Sequence, residues 1–489
     1  MSSKDLKVLY IAAEATPFIK IGGLGDVAGS LPIAIRREFP PGSPNGVDIR
    51  LVIPYYPHLD NFSCTPKHIV DLKIQHQDKS LKASVFLCEN KQLPVYLIKG
   101  DPINFGKQVY SSEPYKDGLK FTFFSLATLA LTKKLNWRPD IIHGNDWHTS
   151  AAIYALFLRR KHDVFFRNTK SLLTIHNLPY LGIGAESALR EFGLPPAVSS
   201  PLPNWAQSTP LPLGLLSADQ INTVSPGYAK EILTKEYGSG LEKFLQSRAK
   251  SITGILNGID TNFWNPKTDP NIFVNYTKET LTSRSLNKAK FQESLNLKID
   301  KNIPLIGMVT RMDYQKGVDL LPSTLRSISN RPWQAIILGS GDPKIEEDAQ
   351  ILENEFPSRI RAIIQYHAIL ARKIYAGSDM LLIPSRYEPC GLTQMIAMRY
   401  GNVPIARATG GLRDTIIDYS LGKRSTGFLF DEPSTEEFTK AIRRALDVYS
   451  DKRKWRGLQI RGMKLDHSWE NSAAKYVSLY TKLTRKPMP

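Results

Sequence analysis

Three short stretches carry the residue types that could do chemistry. Lys20-Ile21-Gly22-Gly23-Leu24-Gly25-Asp26 follows an apolar run, Val8 to Ala12, and leads into Val27-Ala28-Gly29-Ser30-Leu31. Three glycines in four positions open the backbone amides to a bulky ligand, and an ammonium at the entrance of a helix suits phosphate. Arg311-Met312-Asp313-Tyr314-Gln315-Lys316-Gly317 leaves the end of another apolar run. Its two cations can converge on adjacent phosphoryl oxygens, Arg311 by its fork and Lys316 as a point charge. In Ser385-Arg386-Tyr387-Glu388-Pro389-Cys390-Gly391-Leu392-Thr393-Gln394, Glu388 stands just before a helical pattern. The amides from Gly391 to Thr393 can hold a diphosphate there while the carboxylate faces a sugar; a carboxylate in this place is equally a helix cap. Cys390, beside proline and glycine, reads as a close-packed structural thiol and not as a nucleophile.

Gly23-Leu24-Gly25-Asp26-Val27-Ala28 also spells the G-x-G-x-x-A of a dinucleotide fingerprint. The first glycine of that motif should follow its strand directly, whereas Glu14 to Ile21 intervene, and the next strand runs into Pro54-Tyr55 where a ribose-binding acid is wanted. A nicotinamide enzyme is therefore the runner-up.

These stretches need strands to carry them and helices to receive them. Candidate strands in the first half are 48–54, 83–87, 95–99, 140–143, 172–176 and 221–224, with helices at 120–135, 149–160 and 227–233. A helix through Leu31, Ile35 and Arg36 is expected to hold Pro32 near its start, where a missing amide is tolerated. That alternation predicts an α/β, doubly wound parallel sheet, which binds ligands beyond the carboxyl ends of its strands. The pattern weakens over 262–304, read as a linker, and restarts with strands at 305–310, 335–339, 360–365, 380–384 and 404–406. Helices at 317–328, 344–356, 370–377 and 392–400 make a second doubly wound domain. The proline-rich stretch 193–214 is a candidate lid or an inert excursion. An amphipathic helix at 472–483 could fold back onto the first domain. The expected division is 1–262, 263–455 and a returning segment 456–489.

The 489 residues carry 64 Lys and Arg against 46 Asp and Glu, a net charge of +18. The basic residues are spread along the chain, without an arginine-rich tail or a nucleic-acid-binding signature, so no nucleic-acid partner is expected. Three cysteines, Cys64, Cys88 and Cys390, are too scattered for a disulfide framework or a four-ligand zinc site. With no signal-peptide core and no apolar run of spanning length, the expectation is a cytoplasmic protein with no membrane partner.

Taken in order, Lys20-Ile21-Gly22-Gly23-Leu24, Gly144-Asn145-Asp146-Trp147-His148, Thr174-Ile175-His176-Asn177, Thr223-Val224-Ser225-Pro226, Ile255-Leu256-Asn257-Gly258-Ile259-Asp260, Arg311 with Lys316, Glu388-Pro389-Cys390-Gly391-Leu392-Thr393-Gln394 and Thr409-Gly410-Gly411-Leu412 resemble the bacterial glycogen synthase and plant starch synthase family. The resemblance covers nearly the whole chain. It implies a GT-B fold, two Rossmann-like domains facing across a deep cleft, and transfer of glucose from ADP-glucose to the non-reducing end of an α-1,4-glucan with retention. UDP-glucose is the alternative donor, since no single residue reads the base.

By position, the resemblance gives Lys20, with Gly22 and Gly23, to the donor phosphates and Arg311 and Lys316 to the departing diphosphate. Cys390, Gly391, Leu392 and Thr393 would hold the nucleotide, Glu388 the glucosyl hydroxyls, His176 with Asp146 the sugar pocket, and Asn257 the sugar from the interdomain segment. Ile21 departs from the usual threonine or valine but keeps β-branching. No Asp-x-Asp occurs, so the metal clamp of many glycosyltransferases has no obvious ligands; neither metal nor cofactor is expected, and the cations would neutralise the diphosphate. Two other readings share the scaffold: a non-catalytic glucan-binding homologue, and a transferase with a small acceptor.

Overall fold

A parallel strand covered on both faces has no solvent side, so its sequence is apolar along most of its length. Such runs recur through this chain, and the computed structural model, which describes residues 5–57, 64–89, 92–104 and 108–484, places them in two sheets. The chain divides into two units, one running to Gly258 and resumed from Trp469, the other Ile259–Ser468.

The first unit holds β1 (Leu6–Ile11), β2 (Val47–Pro54), β3 (Lys67–His76), β4 (Lys79–Glu89), β5 (Pro94–Lys99), β6 (Ile141–Asn145), β7 (Lys170–Ile175), β8 (Gln220–Thr223) and β9 (Ile252–Gly254). They lie in the order β3-β4-β5-β2-β1-β6-β7-β8-β9, parallel from β5 to β9. The second unit holds β10 (Leu305–Val309), β11 (Gln334–Gly339), β12 (Ile360–Ile364), β13 (Met380–Ile383), β14 (Val403–Arg407) and β15 (Phe428–Phe430). Their order is β12-β11-β10-β13-β14-β15, with every pairing parallel. Both are doubly wound α/β sheets, and each reverses its winding once, between β1 and β6 in the first and between β10 and β13 in the second. The carboxyl ends flanking such a reversal form a ready-made crevice.

Several expectations need correction. The first sheet is mixed, because β3, absent from the sequence reading, forms an antiparallel hairpin with β4, and β4 is antiparallel to β5. β3 is half exposed and polar, so it lacks the apolar run of the parallel strands. That hairpin also brings Cys64, just before β3, against Cys88 in β4, where they form a disulfide with Cα atoms 5.8 Å apart; a pairing register, invisible in the cysteine spacing, sets this. Pro32 is not near a helix start: the helix spans Gly23–Glu38, and Pro32 is buried in its interior. Within the stretch read as a candidate lid or an inert excursion, Pro210 opens a helix, Pro210–Ser217, that is almost wholly buried. A Cβ on its Gly214 would lie 2.6 Å from Ser150, so this helix packs tightly on the helix Trp147–Arg159. The supposed linker contains the helix Arg284–Ser294, and the segment 456–468 stays with the second unit. The helix that rejoins the first unit is Trp469–Thr484, whose Tyr476 and Tyr480 are fully buried. Among the described residues, no helix is long and apolar enough to cross a membrane.

Candidate active site

In the first unit the Lys20 loop follows β1 and Asp146 follows β6, the two strands that flank the winding reversal, while His176 follows the neighbouring β7 and Asn257 lies beyond β9 at the edge of the sheet. Asp146 follows β6 and caps no amide of its own helix; its backbone takes φ 54°, ψ −170°, a region otherwise left almost entirely to glycine. The twist turns its carboxylate across to β7, where Oδ1 accepts from the His176 amide at 2.7 Å and the Asn177 amide at 3.4 Å. His176 Nε2 lies 2.9 Å from Asn145 Oδ1, and that oxygen also accepts from Tyr10 Oη at 3.1 Å. Asn145 Nδ2 donates to the Ile11 carbonyl at 2.9 Å, which fixes the amide's orientation. Nε2 of His176 must therefore carry the proton, leaving Nδ1 as an acceptor. Burial lowers the His176 pKa to about 3, so the ring is neutral at physiological pH.

Burial also raises the Asp146 carboxyl to about 7, against the two amides it accepts from and with the nearby Glu14 charge adding to the rise. An aspartate whose folded-state pKa exceeds its unfolded value holds an extra proton in the folded protein between those two values, so stability is lost as pH rises from about 4 through about 7. An asparagine in its place would keep the accepting oxygen, and its backbone would bear the same strain as that of the aspartate. Asp146→Asn is therefore expected to gain stability relative to the parent chain between about pH 4 and pH 7, by at most about 1.4 kcal/mol per pH unit. Thermal melts across that range check this; an offset independent of pH would mean that Asp146 is ionised throughout.

The glycine loop does not present its amides as expected. The Ile21 and Gly22 amides both donate to the carboxylate of Glu14, Gly22 at 3.1 Å. Gly23 begins the helix, and Lys20 Nζ is paired with Asp26 at 2.8 Å. Asn257 is buried beyond β9, its Oδ1 without a hydrogen-bond partner among the described residues, on a segment fastened by Ser472 Oγ donating to the Leu256 carbonyl at 2.6 Å.

In the second unit, Arg311 and Lys316 follow β10 and Glu388 follows β13, again at the winding reversal. Asp313 caps the short turn Tyr314–Lys316 by accepting from the Lys316 amide at 2.9 Å, and pairs with Arg311 at 3.1 Å. Lys316 Nζ reaches Glu388 Oε2 at 2.6 Å, and Ser385 Oγ donates to the same oxygen at 3.1 Å. Two glycines permit that approach. Gly317, at φ 67°, would put a Cβ 2.2 Å from the Pro384 carbonyl, and Gly411, whose amide donates to the Glu388 carbonyl, would put one 2.1 Å from that of Cys390. Cys390 is buried, Gly391 takes φ 72°, and Leu392 and Thr393 lead into the helix Thr393–Arg399. Leu392 is its N-cap residue and supplies no side-chain cap. Sequence reasoning gave no role to Glu14, Tyr110 or Ser385; Glu14 and Ser385, polar residues a short way beyond the buried strands β1 and β13, left a signal that could have been read.

The starch synthase catalytic domain family matches residues 7–247, and the glycosyl transferases group 1 family matches residues 289–457. A glycogen synthase of Geotalea daltonii is 40% identical over 98% of this chain and 99% of its own length. One from Thermosipho africanus is 39% identical over 98% of this chain and 100% of its own. This chain belongs to the glycogen and starch synthase family. It is accordingly a glycosyltransferase, with the GT-B fold. The catalytic domain of starch synthase IV from Arabidopsis thaliana, solved with ADP and acarbose, superposes with a TM-score of 0.87 at 32% identity, covering 99% of this chain and 100% of that one. Sucrose-phosphate synthase from Thermosynechococcus elongatus shares the fold at TM-score 0.61 and 20% identity. In this member of the synthase family, each predicted phosphate-binding cation has a carboxylate partner within its own unit: Lys20 with Asp26, Arg311 with Asp313 and Lys316 with Glu388.

Proposed function

We propose that this glycogen or starch synthase transfers glucose from ADP-glucose to the non-reducing end of an α-1,4-glucan with retention at the anomeric carbon. The observation that carries the reading is the Lys316–Glu388 pair: a cation suited to a leaving diphosphate beside a carboxylate suited to sugar hydroxyls, both largely buried at strand ends. Breaking the glycosyl phosphate bond develops negative charge on the diphosphate and positive charge on the ring. Arg311, Lys316 and Lys20 stabilise that separation more than the ground state, and they take the neutralising part that a metal ion plays elsewhere. Gly391 to Thr393 supply backbone amides to the nucleotide. Glu388 and neutral His176, which accepts at Nδ1, hold the glucosyl hydroxyls, and Asn257 contacts the sugar. The ADP of the starch synthase IV structure supports the adenine nucleotide, and the glycogen synthases among the relatives support the acceptor class.

The test is side-by-side turnover of ADP-glucose and UDP-glucose with glycogen. The expected result is release of ADP together with lengthened glucan chains, and a kcat/KM at least about tenfold higher for ADP-glucose. A single-step small glycoside, preference for UDP-glucose, or no turnover of either donor would overturn the reading.

A further inference from the structure

We propose that Glu14 is a positioning residue for donor binding, acting through the glycine loop and Lys20; the inference rests on the donor reading above. The helix Gly23–Glu38 starts at a glycine N-cap with no side chain to hold its entrance. Glu14, just beyond β1 and 1% exposed, does that work from behind the loop. Its Oε2 accepts from the Ile21 and Gly22 amides, while its Oε1 accepts from the Tyr110 hydroxyl at 3.0 Å. Tyr110 in turn packs against His148, ring centroids 4.9 Å apart, so the same carboxylate ties the loop to the Asp146-Trp147-His148 motif. The far side of the loop is held too, by the Thr16 amide donating to the Gly25 carbonyl at 2.9 Å.

The Ile21 and Gly22 amides face inward, so the loop offers an anionic donor the Lys20 ammonium and not these amides. A buried carboxylate close to a diphosphate opposes binding electrostatically, and its place in the fold makes sense through the loop geometry it fixes. A lysine on a four-carbon stem binds phosphate well only where its backbone is fixed.

The test uses the full chain with Glu14→Ala and Glu14→Gln. Glutamine keeps an oxygen for the loop amides and a second group for the Tyr110 hydroxyl; alanine keeps neither. Expected for Glu14→Ala is a rise in KM for ADP-glucose of at least about tenfold, a change of less than about twofold in KM for glycogen, and faster amide hydrogen exchange at Ile21 and Gly22. Glu14→Gln should recover to within about threefold of the parent KM. An unchanged KM in Glu14→Ala overturns the proposal, and so does a Glu14→Gln variant as impaired as alanine, since charge and not positioning would then be at work. If Glu14→Ala does not fold, Tyr110→Phe replaces it, with a smaller rise in KM expected and an unchanged one overturning. Hydrogen exchange needs no substrate, so a chain that turns over no donor would sink the functional reading while protection at Ile21 and Gly22 still decides whether Glu14 holds the loop.

Discussion

Arg311→Ala will lower kcat/KM for ADP-glucose by on the order of 10²-fold to 10³-fold while leaving the melting temperature within about 2 °C of the parent. Arg311 is 62% exposed and its ion pair with Asp313 is a surface pair of the kind worth under about 1 kcal/mol, so the fold loses little. A preorganised cation facing a leaving diphosphate acts mainly in the transition state, so the loss should fall chiefly on kcat. Lys316→Ala is expected to cost at least as much activity and stability besides. It takes the ammonium from the Glu388 carboxylate, 11% exposed, and leaves Ser385 Oγ donating to the same oxygen. Steady-state kinetics beside thermal melts separate the two effects. Full activity in Arg311→Ala would remove the phosphate-clamp argument.

Asp379→Ala is expected to destabilise the second unit by about 3 to 5 kcal/mol, the range for removing one partner of a buried ion pair. Its Oδ2 pairs with Lys288 at 2.8 Å and accepts from the Leu305 amide at 2.9 Å and from Tyr449 Oη at 3.1 Å. Arg284 lies 3.9 Å from its Oδ1. Losing the carboxylate leaves the ammonium of Lys288, itself buried, facing backbone carbonyls and a phenol alone. Denaturant unfolding should show the transition of the second unit moving to lower concentration. A shift under about 1 kcal/mol would mean that Lys288 finds other acceptors or loses its proton.

The same network explains what the sequence hid. The helix Arg284–Ser294 buries Arg284, Asn287, Lys288, Phe291 and Gln292, an inward face that is mostly polar, so no apolar period marked it and the segment read as linker. Parallel strands, buried on both sides, announced themselves, and so did Arg311, Lys316 and Glu388 at their carboxyl ends; Asp146 and His176 were named only through the family resemblance. What spacing could not show is direction. Asp146 was legible as a polar residue beside a helix, but not its positive φ, which sends the carboxylate to the next strand. Glu14 looked like part of an intervening segment because its partners, the Ile21 and Gly22 amides and the Tyr110 hydroxyl, meet it only once the loop has folded back. The distance in sequence between Tyr110 and Glu14, 96 residues, leaves no local trace.

The helix Trp469–Thr484 buries tyrosines whose hydroxyls sit 2.7 Å from His143 Nδ1 and 2.9 Å from Asn222 Nδ2, deep in the first sheet. During synthesis that sheet must do without this helix, and His143 Nδ1 without its hydroxyl, until roughly 200 intervening residues have left the ribosome. The nascent amino-terminal portion is therefore the stage at which chaperones would find the most to hold, and the intervening unit, uninterrupted in sequence, is free to mature before the portion that was translated first.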